Sequence, residues 1–147
     1  MPQPTQVDPR GLRVNAAITA VVLALVLAVP SEPVRTVLLG VQVVVFAIAV
    51  LVGLSASPWA IVFTTIVRPR LGPPAELEDA RPPRFAQLVG LVFTTVALVA
   101  LLAGATTVAL VATTLALVAA LLNAVVGLCL GCEMYLVLRR LAPAGTA

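Results

Sequence analysis

The chain has 147 residues, of which 61% are apolar and only 10% charged. A soluble domain carries roughly 25% charged residues, so a water-covered globule, a disordered chain and a nucleic-acid binder are all excluded. All nine basic residues are arginine and histidine is absent, which removes imidazole acid–base chemistry, histidine metal sites and lysine Schiff bases.

A spanning helix needs roughly 20 mainly apolar residues to cross a bilayer core about 30 Å thick. The first such stretch is Val14 to Val29, closed by Pro30-Ser31-Glu32-Pro33 and extended by Leu12 and the stem of Arg13. Ala28-Val29-Pro30 makes a poor cleavage site, so the stretch reads as a retained span rather than a leader. The second is Thr36 to Leu54, closed by Ser55-Ala56-Ser57-Pro58. Ser57 and Pro58 have the types of an N-cap and first helical residue. The spacing of Trp59, Val62, Phe63 and Ile66 then predicts a short interfacial helix to Arg68, with Trp59 at headgroup level. Residues 68–84 read RPRLGPPAELEDARPPR and hold five of the twelve prolines. This density reads as a semi-rigid linker without continuous helix, or as a docking surface for a soluble partner. The third stretch is Phe85 to Ala103, closed by Gly104. The fourth stays apolar from Thr106 to Leu138, about 50 Å of helix at 1.5 Å per residue, too long for one untilted span. Gly127 and Gly131 are its weak points. The expectation is a span over Thr106–Val126, a break, and a short helix to Arg140.

In this arrangement Arg10, Arg13, Arg68, Arg70, Arg81, Arg84, Arg139 and Arg140 fall on one side of the membrane and Arg35 alone on the other. The positive-inside rule then makes both termini and the middle loop cytoplasmic, in the cell membrane. An internal repeat is also visible. The pairs Arg10/Arg13 and Arg81/Arg84 precede spans one and three, and Val52-Gly53-Leu54 and Val126-Gly127-Leu128 end spans two and four. The expected fold class is all-α: a four-helix transmembrane bundle built as a tandem repeat of two hairpins, each followed by a short interfacial helix. One integral membrane domain, 1–147, would comprise a first repeat (1–67), the loop (68–84) and a second repeat (85–147), related by a pseudo-two-fold axis along the membrane normal.

Chemistry has few places to reside. Cys129 and Cys132 are the only cysteines, in Cys129-Leu130-Gly131-Cys132. In a helix, residues three apart share a face, and a helix N-terminus favours the thiolate. The pair reads as cycling or persulfide-carrying thiols, since a structural disulfide is not expected on the cytoplasmic side. Packing as small hydrophobes is the competing reading. A third, a soft Cu(I)-type site with Glu133 and Met134 across a dimer, lacks a full set of donors in one chain, so no resident metal or cofactor is expected. Glu133 is the only acid in an apolar run. It reads either as a proton acceptor for a neighbouring thiol or as a first-turn acid favoured by the helix dipole. Asn15, Gln42, Gln87 and Asn123 suit interhelical hydrogen bonds. Asn123, close before Cys129, also suits a supporting role at the thiols. Ala112, Ala116, Ala120 and Ala124, followed by Gly127 and Gly131, form a ridge of small residues for close packing against a span of the same chain or of a second copy.

Several segments together carry a resemblance: Val7-Asp8-Pro9-Arg10, Ser57-Pro58, the run from Val67 through Arg84 to Gln87, Leu122-Asn123-Ala124, and Gly131-Cys132-Glu133-Met134-Tyr135. The chain resembles the domain of unknown function 4395 family, small bacterial membrane proteins common in actinobacteria, and matches its C-x-G-C-E signature at Cys129, Gly131, Cys132 and Glu133. Ala16 stands where relatives more typically carry glutamine. The resemblance implies an integral membrane protein whose gene often neighbours thioredoxin-like or sulfurtransferase genes, and so a thioredoxin-like or sulfurtransferase partner at the cytoplasmic loop. The function expected is a thiol-redox or sulfur-relay component, with Cys129 and Cys132 as the exchanging pair and Glu133 as proton acceptor. A non-enzymatic membrane scaffold or small-solute conduit, monomeric or homodimeric, is the alternative.

Overall fold

A computed structural model describes residues 6–142. In chain order it contains β1 (Gln6–Val7), α1 (Pro9–Ala28), α2 (Glu32–Leu51), a 3-10 turn (Leu54–Ala56), α3 (Pro58–Val62), a π segment (Phe63–Val67), α4 (Arg68–Leu71), β2 (Glu78–Asp79), α5 (Arg81–Leu102), α6 (Thr106–Leu121), a second π segment (Leu122–Val126) and α7 (Leu130–Leu141). The fold is all-α apart from the two-residue strands. Four helices are long and apolar enough to cross a membrane: Pro9–Ala28, Glu32–Leu51, Arg81–Leu102 and Thr106–Val126, with mean hydropathies between 2.0 and 2.4.

The spans pack leucine and valine side chains against alanines, whose small size lets the helices approach closely in lipid. Leu23 and Val26 of α1, Leu39 of α2, Ala97 and Leu101 of α5, and Ala109 and Ala112 of α6 form one buried cluster. The first two residues of the alanine ridge of α6, Ala112 and Ala116, therefore meet spans of their own chain. Val108, Val111, Leu115 and Val118, on its other face, are exposed, as a lipid-facing surface requires. The cluster draws on the C-terminal part of α1 and α5 and the N-terminal part of α2 and α6. The dense core thus lies toward the end of the bundle that carries Arg35.

The opposite end is tied by arginine. Asp8 caps α1, accepting the Arg10 N–H at 3.0 Å, and also pairs with the Arg10 guanidinium at 2.8 Å. Arg10 Nη2 further donates to the Gly72 carbonyl at 2.9 Å. The same device recurs before α5, where Asp79 accepts the Arg81 N–H at 2.9 Å and pairs with its guanidinium at 2.7 Å. One turn on, Arg13 donates to the Ala124 and Val125 carbonyls at 3.1 and 3.0 Å, at the end of the fourth span. Its counterpart Arg84 donates to the Val50 carbonyl at 2.7 Å, at the end of α2. Carbonyls in the last turn of a helix have no partner within the helix, and each guanidinium supplies one. At the other end of the bundle, Arg35 Nε donates to the Val26 carbonyl at 3.0 Å.

The middle loop differs from its expected form at both ends. Helix continues through Pro69 to Leu71. Proline lacks an N–H and crowds the carbonyl four residues back. The π segment immediately before it, in which the Arg68 N–H bonds the Phe63 carbonyl five residues back, widens the turn and relieves that crowding. Pro82 and Pro83 fall in the first turn of α5, where an N–H would be unpaired in any case. Between them, β2 pairs antiparallel with β1, Val7 opposite Glu78 and Gln6 opposite Asp79. This ladder fastens the loop to the N-terminal segment.

The Arg81 guanidinium, with the Arg81 N–H, holds the Asp79 carboxyl down to about 2 from an ordinary 3.8. A depressed carboxyl pKa contributes stability that is complete above the unfolded value and disappears as pH falls through the folded one. The Asp79–Arg81 pair should therefore persist below pH 3.8 and open with a midpoint near 2. The Arg81 amide shift, followed by NMR during acid titration, measures this. A midpoint at the ordinary aspartate value would show that the pair does not form.

Candidate functional site

Both cysteines lie at the junction between the fourth span and α7, and local chemistry builds that junction. Gly127 ends the span in the left-handed region at φ 79°, which glycine reaches without the cost a Cβ imposes. Its N–H bonds the Asn123 carbonyl at 3.1 Å, closing the helix end. Cys129 then adopts an extended backbone and caps α7, its Sγ accepting the Cys132 N–H at 3.2 Å. Glu133 in the first turn and Arg139 and Arg140 in the last complement the helix dipole at both ends. The break and short helix expected from Gly127 and the Cys129 motif are thus observed, with Cys129 as N-cap.

Cys129 and Cys132 are joined as a disulfide, with Cα atoms 5.1 Å apart. The sequence reading disfavoured a structural disulfide here; the bonded form is also one of the two states through which a cycling pair passes. Gly131 sits between them at the closest approach of α7 to α5: a Cβ there would lie 2.6 Å from both Cα and Cβ of Ala86. Tyr135 packs on Phe85 one turn further, the ring centroids 5.7 Å apart. These contacts hold the disulfide against the bundle.

The disulfide forms part of the wall of a half-open cavity of about 450 Å³ among α1, α2, α5, α6 and α7. The cavity occupies the arginine-bearing half of the bundle, opposite the dense core. Its surface is mainly apolar, with Phe46, Phe93, Ala116, Ala119 and Ala120 prominent. Polar groups come from Arg13, Asn15, Thr19, Glu78, Gln87 and Asn123. Three of the four amide side chains expected in the spans therefore meet around one space with both cysteines. The Gln87 Oε1 is buried and has no hydrogen-bond partner.

Gln42, the fourth amide, lies elsewhere. It is fully buried, donates to Thr19 at 3.2 Å and accepts the Trp59 indole N–H at 3.3 Å. Trp59 thus bonds inward to a span. Ser57 precedes α3 as expected, but its hydroxyl makes no cap bond and is buried without a partner. Glu133 is exposed and lies outside the cavity wall. Among the described residues no group of three or more His, Cys, Asp or Glu gathers as a metal site. Phe46 and Phe93 were not singled out in the sequence. The available signal was Gly90, whose missing side chain leaves the Phe46 ring its place: a Cβ there would lie 2.6 Å from Phe46 Cζ.

No curated protein and no solved structure matches the chain. A family model described as Domain of unknown function (DUF4395) matches residues 7–140, and the chain belongs to that family.

Proposed function

We propose that the protein is a membrane thiol-exchange component in which Cys129 and Cys132 cycle between disulfide and dithiol with a soluble partner. The observation that carries this reading is the position of the pair: Cys129 caps α7 through its sulfur, and both residues border a cavity inside the bundle. A sulfur that accepts a backbone N–H at a helix N-terminus is a stabilised thiolate once the disulfide opens. Exchange then proceeds through a mixed disulfide on Cys129. A partner thiolate attacks the Cys129 Sγ, and Cys132 leaves and takes up a proton, with the neighbouring Glu133 exchanging protons with water. The partner's second thiolate displaces Cys129, releasing the partner as a disulfide and leaving the Cys129/Cys132 dithiol. The same steps in reverse reduce a partner.

In this proposal the arginine-bearing end faces the cytoplasm, and the loop between α4 and α5 receives a thioredoxin-like or sulfurtransferase protein. The arginine distribution supports the orientation. The test is a redox titration of the purified protein in dithiothreitol buffers, with thiols counted by a membrane-impermeant maleimide in right-side-out and inverted vesicles. The expected result is that both redox states populate across the titration and that labelling is confined to inverted vesicles. A pair that stays oxidised throughout while the protein remains folded would overturn the exchange function, and labelling from outside would overturn the orientation.

A further inference from the structure

We infer that the cavity beside Cys129–Cys132 binds a lipid-soluble quinone, which takes electrons from the reduced pair. This rests on the exchange function proposed above and names its second substrate. The cavity volume of about 450 Å³ falls in the roughly 300–1,000 Å³ range of small-molecule sites, which are mainly apolar with a few placed polar groups. Its position inside four helices apolar enough for a bilayer suits a ligand that partitions into lipid. Phe46 and Phe93 in its wall suit a flat conjugated ring.

The polar groups fit both redox states of such a ring. A quinone offers two carbonyl acceptors, whereas a quinol offers two hydroxyl donors. A carboxamide presents an N–H₂ donor and a carbonyl acceptor, so Gln87 and Asn123 can serve either state. The buried Gln87 Oε1 without a partner is the acceptor that a quinol hydroxyl would satisfy, since leaving such an atom unpaired is costly. Arg13 in the same wall favours the oxygen that gains negative charge during reduction.

The electron balance is closed. The Cys129/Cys132 dithiol gives up two electrons and two protons, and the S–S bond re-forms. The quinone gains the same two electrons and two protons and becomes the quinol. Together with exchange on the partner's side, the net change is a partner dithiol oxidised to a disulfide and a quinone reduced to a quinol. Cys132 belongs to both half-reactions, so its loss would stop both; the cavity belongs to one.

The test uses the full chain in nanodiscs, reduced, freed of reductant and kept anaerobic, with a decyl-substituted benzoquinone whose ring is fully substituted and so closed to simple thiol addition. The expected result is one quinone reduced per disulfide formed, read as quinone absorbance lost and thiols lost. Gln87→Leu should raise the quinone concentration needed for half-maximal rate about tenfold, the effect of one lost hydrogen bond. Ala119→Phe, which fills the cavity, should slow the quinone step about tenfold or more, while exchange with dithiothreitol changes less than about twofold. That exchange also reports that the variant is folded, and Ala119→Leu repeats the test with a smaller side chain. Exchange without quinone reduction overturns the quinone site and leaves the exchange function standing. Quinone reduction at an equal rate in both Ala119 variants also overturns it, because the reaction then bypasses the cavity. Loss of exchange itself in the unmodified chain overturns the reading on which the inference rests.

Discussion

With Cys132 replaced by serine, the remaining Cys129 should react with an aromatic disulfide such as 5,5′-dithiobis(2-nitrobenzoate) about threefold faster at pH 7 than Cys132 does in the Cys129→Ser chain, because the helix N-terminus favours its thiolate. The two thiols share a face and a neighbourhood, yet their backbone roles differ. Cys129 lies before the first turn of α7, and its sulfur accepts the Cys132 N–H at 3.2 Å. That bond stabilises the anion more than the neutral thiol. Cys132 lies within the first turn, and its own N–H is the donor. The asymmetry decides which sulfur keeps a partner: the Cys132→Ser chain should accumulate a mixed disulfide, visible on a non-reducing gel, and the Cys129→Ser chain should not. Equal rates for the two variants would remove the assignment of Cys129 as the attacking thiol.

Gly131→Ala should lower stability by about 1–3 kcal/mol, the usual cost of forcing extra volume into a packed contact. The added Cβ would lie 2.6 Å from the Ala86 Cα and Cβ. Neither atom belongs to a flexible side chain, so α7 itself has to move off α5. The displacement separates Tyr135 from Phe85 and shifts both sulfurs relative to the cavity. Thiol exchange and the thermal midpoint in detergent should therefore fall together. Gly40→Ala is the control, because a Cβ there meets nothing within 4 Å and alanine is the better helix former by about 1 kcal/mol. A Gly131→Ala chain as stable as the Gly40→Ala chain would mean that α7 is not held at this contact.

The four spans were legible because lipid imposes a length and an apolar composition on any helix that crosses it. The end of the fourth span could be placed at Val126 because Gly127 interrupts an otherwise uniform run. The arginine boxes marked one end of the bundle, but their bonds to Val50, Ala124 and Val125 depend on which helices lie side by side, and no local pattern states that. The helix through Pro69 was hidden by a rule that holds for regular α-helix and is relaxed by a π turn. The site was only partly visible. Cys129, Cys132 and Asn123 are close in sequence, whereas Gln87, Phe46 and Asn15 join them only through the packing of other helices. The cavity itself is a space left by small residues, and composition does not distinguish a ridge of alanines that closes a contact from one that leaves a gap.

The arginine bonds also bear on how the chain is made. Each guanidinium closes a helix end in the other half: Arg84 serves the end of α2, and Arg13 serves the end of the fourth span. Arg84 follows α2 in the chain, so it is not yet in place beside the Val50 carbonyl when α2 first reaches the bilayer. Arg13, already present, has no helix end to bind until the fourth span arrives. Until then water serves the Val50 carbonyl and the Arg13 guanidinium, and the arrival of α5 and the fourth span replaces it with the bonds seen in the folded bundle. Because α7 follows the fourth span in the chain, the part of the cavity wall that carries Cys129 and Cys132 is added only after the spans that form the rest of it.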